Sequence, residues 1–211
     1  MKPLRQLAFG CAVLLSGTSN ALAYAPEPCF TPHISIEEVT IQLAKDGWES
    51  AARDDLEVIE HLAWMGMPQY FIGDRGGSRI ERTLEVKYLA AKGVWNKKEL
   101  TSSKTRILRR EAGQHREVAI IIWNKIGPST ILDCTFSLSS VSIADWASQV
   151  PNQGIIPNFM PIAADYFPHE DTRTSVRLTA LNRSKLADRV KAPVPSDAIL
   201  ETTIRFFAKV K

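Results

Sequence analysis

EVAIIIWNKIGPSTILDCTFSL, Glu117 to Leu138, is the stretch from which the fold is read. Val118 to Trp123 and Thr130 to Leu138 are runs dominated by β-branched, aliphatic and aromatic residues. Lys125-Ile126-Gly127-Pro128-Ser129 between them supplies turn chemistry, so the stretch is expected to form a β-hairpin. Continuous apolar runs of this kind belong at the centre of a sheet rather than at its margin.

Working outward, Thr105 to Glu111 reads as a further strand joined to the hairpin through Ala112-Gly113-Gln114, giving a three-stranded meander. Thr174 to Ala180 and Leu200 to Ala208 alternate with a period of two and read as two more strands, with a helical turn over Ser184 to Val190 between them. Ser142 to Val150 reads as a short helix. The prolines at 151, 157, 161 and 168 make the segment after it a long irregular one.

Upstream of the strands the period changes to that of helices. Ser35-Ile36-Glu37-Glu38 is a capping box opening a helix to Asp46, which Gly47 stops. Asp54-Asp55-Leu56-Glu57 opens a second helix with an apolar stripe of Leu56, Ile59, Leu62 and Ala63, ended by Gly66-Met67-Pro68. Ser78-Arg79-Ile80-Glu81 is a second capping box, opening a helix through Ala91 that Gly93 terminates. The first two helices are expected to pair as a hairpin. Helices first and strands afterwards, without βαβ alternation, indicate an α+β domain: a mainly antiparallel sheet of about five strands, one face covered by the N-terminal helices.

Residues 1–23 have the layout of a secretory signal peptide, with Lys2 and Arg5, an apolar run, and Ala21-Leu22-Ala23 before the cut. Residues 24–211 are then expected to form a single domain. Nothing after the signal has the run of about 18 apolar residues that a membrane span needs, so no stable membrane insertion is expected once it is removed. Removal of Lys2 and Arg5 brings 26 basic residues close to balance with 23 acidic ones. Cys11 leaves with the signal. The remaining pair, Cys29 and Cys134, is expected to form a disulfide in a periplasmic or secreted setting.

Charge is segregated along the chain. Residues 37–60 hold eight acidic against two basic residues, and residues 75–116 hold twelve basic against four acidic ones. Such a division either steers a charged partner or is consumed internally. Arg106, Arg109 and Arg110 interleave with apolar residues in one strand, the pattern of an edge protected by charge; export argues against a nucleic-acid partner.

No catalytic or metal motif of high specificity occurs. The four histidines are scattered and no pair has zinc-ligand spacing, so no metal and no cofactor is expected. The weak acid/base candidates are Asp165, His169 and Glu170, grouped in what reads as one loop of the irregular segment. The anion-binding candidates are Arg75, Gly76, Gly77, Ser78 and Arg79, where glycines precede a helix start and guanidinium groups flank its free amides. The leading expectation is a non-catalytic envelope protein that binds another protein, as an inhibitor or accessory subunit. The alternatives are a module for small anionic ligands or glycans, using that loop and the adjacent Tyr70-Phe71, and a hydrolase of an envelope polymer using His169. Oligomeric state is not encoded in any of these features.

The signal sequence makes a direct prediction. Intact mass of the exported protein should correspond to a chain starting at Tyr24; a mass that includes the first 23 residues contradicts it.

Overall fold

The computed structural model describes residues 27–32, 35–52, 55–68, 78–96, 104–140, 142, 162–169, 172–181, 183–188 and 190–207. Its centre is the expected hairpin: β3 (His115–Ile126) pairs antiparallel with β4 (Ser129–Leu138) from Val118↔Ser137 to Ile126↔Ser129. Only Gly127 and Pro128 separate the paired ends. Gly127 adopts φ 60°, the left-handed conformation that a two-residue hairpin loop requires at its first central position. Gly113, at φ 64°, does the corresponding work between β2 (Thr105–Ala112) and β3.

The remaining strands are β1 (Glu49–Ser50), β5 (Ile162–His169), β6 (Thr172–Ala180) and β7 (Ala198–Phe207). Together they form one seven-stranded sheet in the order β1-β2-β3-β4-β7-β6-β5, with every neighbouring pair antiparallel. About five strands were expected. The two additions have different causes. β1 is two residues long, below what periodicity can register. β5 lies in the segment read as irregular, because Pro168 argues against a strand; at the margin of the sheet, with β6 as its one neighbour among the described residues, a proline is tolerated.

The helices are α1 (Ile36–Lys45), α2 (Leu56–Met65), α3 (Ser78–Asn96) and the short α4 (Arg183–Ala187). Ser35 Oγ accepts the Glu38 N–H at 3.3 Å and so caps α1, while Asp55 Oδ1 accepts from Glu57 and Val58 and caps α2. Gly47 follows α1 at φ 82°, as the stop signal predicted. Gly93 does not stop α3, which runs through it to Asn96; a glycine inside a helix costs only about 1 kcal/mol relative to alanine and does not by itself end it.

Placement of the helices corrects two expectations. α1 and α2 do not form a hairpin on one face but lie on opposite faces of the sheet. Ile36, Val39 and Leu43 of α1, with Trp48, pack in one core with Leu108, Ala119, Ile121, Leu132, Phe136 and Leu200. Val58, Ile59, Ala63 and Trp64 of α2 and Ile80 and Leu84 of α3 pack in a second core with Ile107, Val118 and Ile199. Alternating residues of β2, β3 and β7 thus serve both cores, which for β3 is why Val118 to Trp123 reads as a continuous apolar run. Leu56, assigned to the buried stripe of α2, is 59% exposed, and Val58 and Trp64 are buried instead.

Two features lock the layers together. The Cys29–Cys134 disulfide, with Cα atoms 6.1 Å apart, fastens the 3₁₀ turn Glu27–Cys29 to β4. Glu117 of β3 has no exposed surface, and its carboxylate accepts from Arg110 Nε at 2.7 Å and from Ser139 N and Oγ at 2.8 and 2.6 Å. The Arg110 guanidinium in turn lies 4.6 Å from the centre of the Trp48 ring and donates to Ser142. A buried carboxylate satisfied in this way is stable; stripped of its arginine it would cost about 3–5 kcal/mol.

The disulfide closes a loop of 105 residues. In the chain-entropy account, a Cys29→Ala, Cys134→Ala double variant should lose roughly 4–5 kcal/mol of unfolding free energy. Urea unfolding measures this, and a loss below about 1 kcal/mol would contradict it.

Candidate functional site

The structure describes only some of the sequence-derived candidates. Asp165 and His169 lie on β5, opposite Val176 and Thr172 of β6, rather than in one loop; Glu170 lies outside the described residues. Of the anion-binding candidates, Arg75, Gly76 and Gly77 lie outside the described residues, while Ser78 and Arg79 are the first two residues of α3, with Arg79 exposed. Glu81, from the capping box, reaches across to the segment before β7, where its Oε1 accepts the Lys191 N–H at 3.2 Å.

Three of the four arginines of β2 and β3 meet carboxylates of the acidic N-terminal region, the fourth being Arg110, held by Glu117. Arg106 meets Glu37 at 2.8 Å, and Arg109 meets Glu49 at 2.9 Å and Asp55 at 3.2 Å. Arg116 meets Glu57 at 2.7 Å, Glu111 at 3.0 Å and Asp55 at 3.2 Å. Asp55 therefore caps α2 and anchors two arginines of the sheet at once. The charge division seen in the sequence is thus consumed in part within the fold, where it docks α1, β1 and α2 on the sheet.

One histidine does meet a serine. His61 Nδ1 is 2.7 Å from Ser137 Oγ, joining α2 to β4. Both residues are almost wholly enclosed, at 1% and 0% exposure, so no substrate reaches this pair and it acts as a polar tie within the core. Burial, and then the nearby Arg116 charge, pull the His61 pKa down to about 4.

The open concavity is elsewhere. A cleft of about 350 Å³ lies between α2, α3 and residues 190–193. Buried Ala63, Trp64, Leu84 and Val190 form its floor. Half-buried or exposed Glu60, Glu81, Glu85 and Tyr88 line its mouth with Lys191, Ala192 and Pro193. The volume falls within the roughly 300–1,000 Å³ typical of ligand pockets, and an apolar floor with few polar groups is their usual make-up. Burial, and secondarily Glu57, raise the pKa of Glu60 above the ordinary carboxylate value. Among the described residues neither Glu60 nor Glu85 is paired with a cation, in contrast to the carboxylates that hold the arginines of β2 and β3.

Helical spacing was the available signal for this site. Glu60 and Trp64 are four apart on α2, and Glu81, Leu84, Glu85 and Tyr88 follow the i, i+3, i+4, i+7 rule on α3. What the sequence lacked was any sign that residues 190–193 return to form the third wall. Among the described residues no group of three or more histidine, cysteine or carboxylate side chains is arranged to hold a metal ion. The chain matches no protein-family model, no curated protein and no solved structure.

The buried histidine predicts a pH dependence. The folded pKa of about 4 lies below the ordinary 6.5, so as pH falls from 6.5 to 4 the unfolded chain takes up a proton that the folded protein refuses. Stability present above pH 6.5 should thus decline by about 3 kcal/mol across that window through this group alone. Comparing unfolding free energies at pH 7 and 4, His61→Asn should show a shallower decline than the native protein; equal slopes would contradict the assignment.

Proposed function

We propose that this is an exported, non-catalytic binding protein of the cell envelope, and that it engages another protein through the cleft between α2, α3 and residues 190–193. The cleft is the observation behind this reading: an apolar floor set in a polar mouth, the form in which a binding surface offers a pocket to an anchor side chain. Export is supported by the signal-like residues 1–23 and by the Cys29–Cys134 bridge, which belongs to an oxidising compartment. Among the described residues, no helix is long and apolar enough to cross a membrane.

A binding rather than a chemical role is favoured by the condition of the reactive groups. The His61–Ser137 contact is sealed, and the arginines that would serve an anionic substrate are held by Glu37, Glu49, Asp55, Glu57 and Glu117. The cleft itself has acidic walls, which suit a cationic rather than an anionic group. With the strand arginines held internally, the cleft carboxylates unpaired among the described residues are the charges this reading assigns to the partner.

Pull-downs from an envelope extract at low and moderate salt test the proposal. Wild type should retain a protein in stoichiometric amount. An Ala192→Trp variant, which places a large side chain in the cleft from its half-buried wall, should lose that protein while keeping its melting temperature. No retained protein, or retention undiminished in the variant, rejects the reading.

A further inference from the structure

The cleft combines three features that suit one kind of side chain. Its floor presents Trp64 and Leu84, its mouth presents the ring of Tyr88, and Glu60 and Glu85 stand beside these without a cationic partner among the described residues. The third carboxylate, Glu81, already accepts the Lys191 amide, so it holds the wall in place and is less available to a ligand. Lys191 supplies the one positive side chain of the lining, against three carboxylates.

Resting on the binding role above, we infer that the cleft takes an arginine or lysine side chain from an apolar segment of the partner protein. Its aliphatic stem would lie against Trp64, Leu84 and Tyr88 and its charged head would meet Glu60 and Glu85. A long cationic side chain is the residue type that satisfies both halves of the site, because its methylene stem packs on apolar surface while its head stays at the polar rim. Aromatic rings beside the stem add attraction for the cation, and arginine does this best, since its planar guanidinium stacks on rings and bridges carboxylates. An acidic anchor would meet two unpaired carboxylates. A purely apolar one would fill the floor but cover Glu60 and Glu85 without giving them a partner, a desolvation cost with no return.

The probes are a short peptide with one arginine between leucines and its twin carrying citrulline, an uncharged isostere of arginine. Calorimetry should show the arginine peptide binding wild type about tenfold more tightly than the citrulline peptide. That ratio should fall as salt rises and approach one in a Glu60→Gln, Glu85→Gln double variant of unchanged melting temperature. Ala192→Trp should bind neither peptide. Equal affinity of the two peptides for wild type, no binding of the arginine peptide at millimolar concentration, or a preference that survives in the double variant overturns the inference. Should extract capture remain cleft-dependent while the peptides bind alike, the cationic anchor is refuted and the binding role stands. Should Ala192→Trp leave extract capture intact, the binding role itself is refuted.

Discussion

A single enclosed carboxylate, Glu117, ties the central strand to its neighbours and to the seat of Trp48. It sits on the central strand β3, accepts from Arg110 of β2 and from the backbone and hydroxyl of Ser139 just beyond β4, and through Arg110 it fixes the ring of Trp48 at the end of α1. A carboxylate removed from water demands a full set of donors. Meeting that demand sets the relation of β2 to β3, the exit of the chain from β4 and the seat of Trp48, whose ring then meets Phe136 at 5.4 Å between centroids. Trp48 and Phe136 belong to the core that α1 covers, so polar satisfaction and apolar packing enforce the same arrangement.

The acidic and basic regions of the chain meet in the same spirit at the sheet margin. Glu37, Glu49, Asp55 and Glu57 receive Arg106, Arg109 and Arg116, and the pairs are only partly exposed. Isolated surface pairs contribute little, but Asp55 joins a helix cap to two arginines, and such shared groups chiefly specify where the helix docks. Among the described residues, Glu60 of α2 and Glu85 of α3 take no part in these pairs and stand beside an apolar cleft.

The fold was legible where a residue's role is local. The cap at Ser35, the acidic start of α2, the glycine turns at 113 and 127, and the strands on either side of them all follow from propensity and period acting within a few residues. Errors arose where context outweighed that local signal. Pro168 reads as a strand breaker yet stands on the marginal strand β5, and Gly93 reads as a helix stop yet lies inside α3. Of the candidate site, the spacing of Glu81, Leu84, Glu85 and Tyr88 was visible, but its meaning was not, because the same spacing describes any half-buried helix face.

The sequence by itself determined the α+β class, the central hairpin, the helix starts and the pairing of Cys29 with Cys134, since composition, periodicity and the count of cysteines leave few alternatives. Only the tertiary structure decided that α1 and α2 occupy opposite faces of the sheet, that His61 is sealed against Ser137, and that residues 190–193 close a cleft over α2 and α3. The physical reason is range. Capping and turn formation are settled by neighbours in the chain, whereas the face a helix chooses and the wall a loop supplies depend on burial and charge pairing between residues dozens of positions apart, and no local pattern records them.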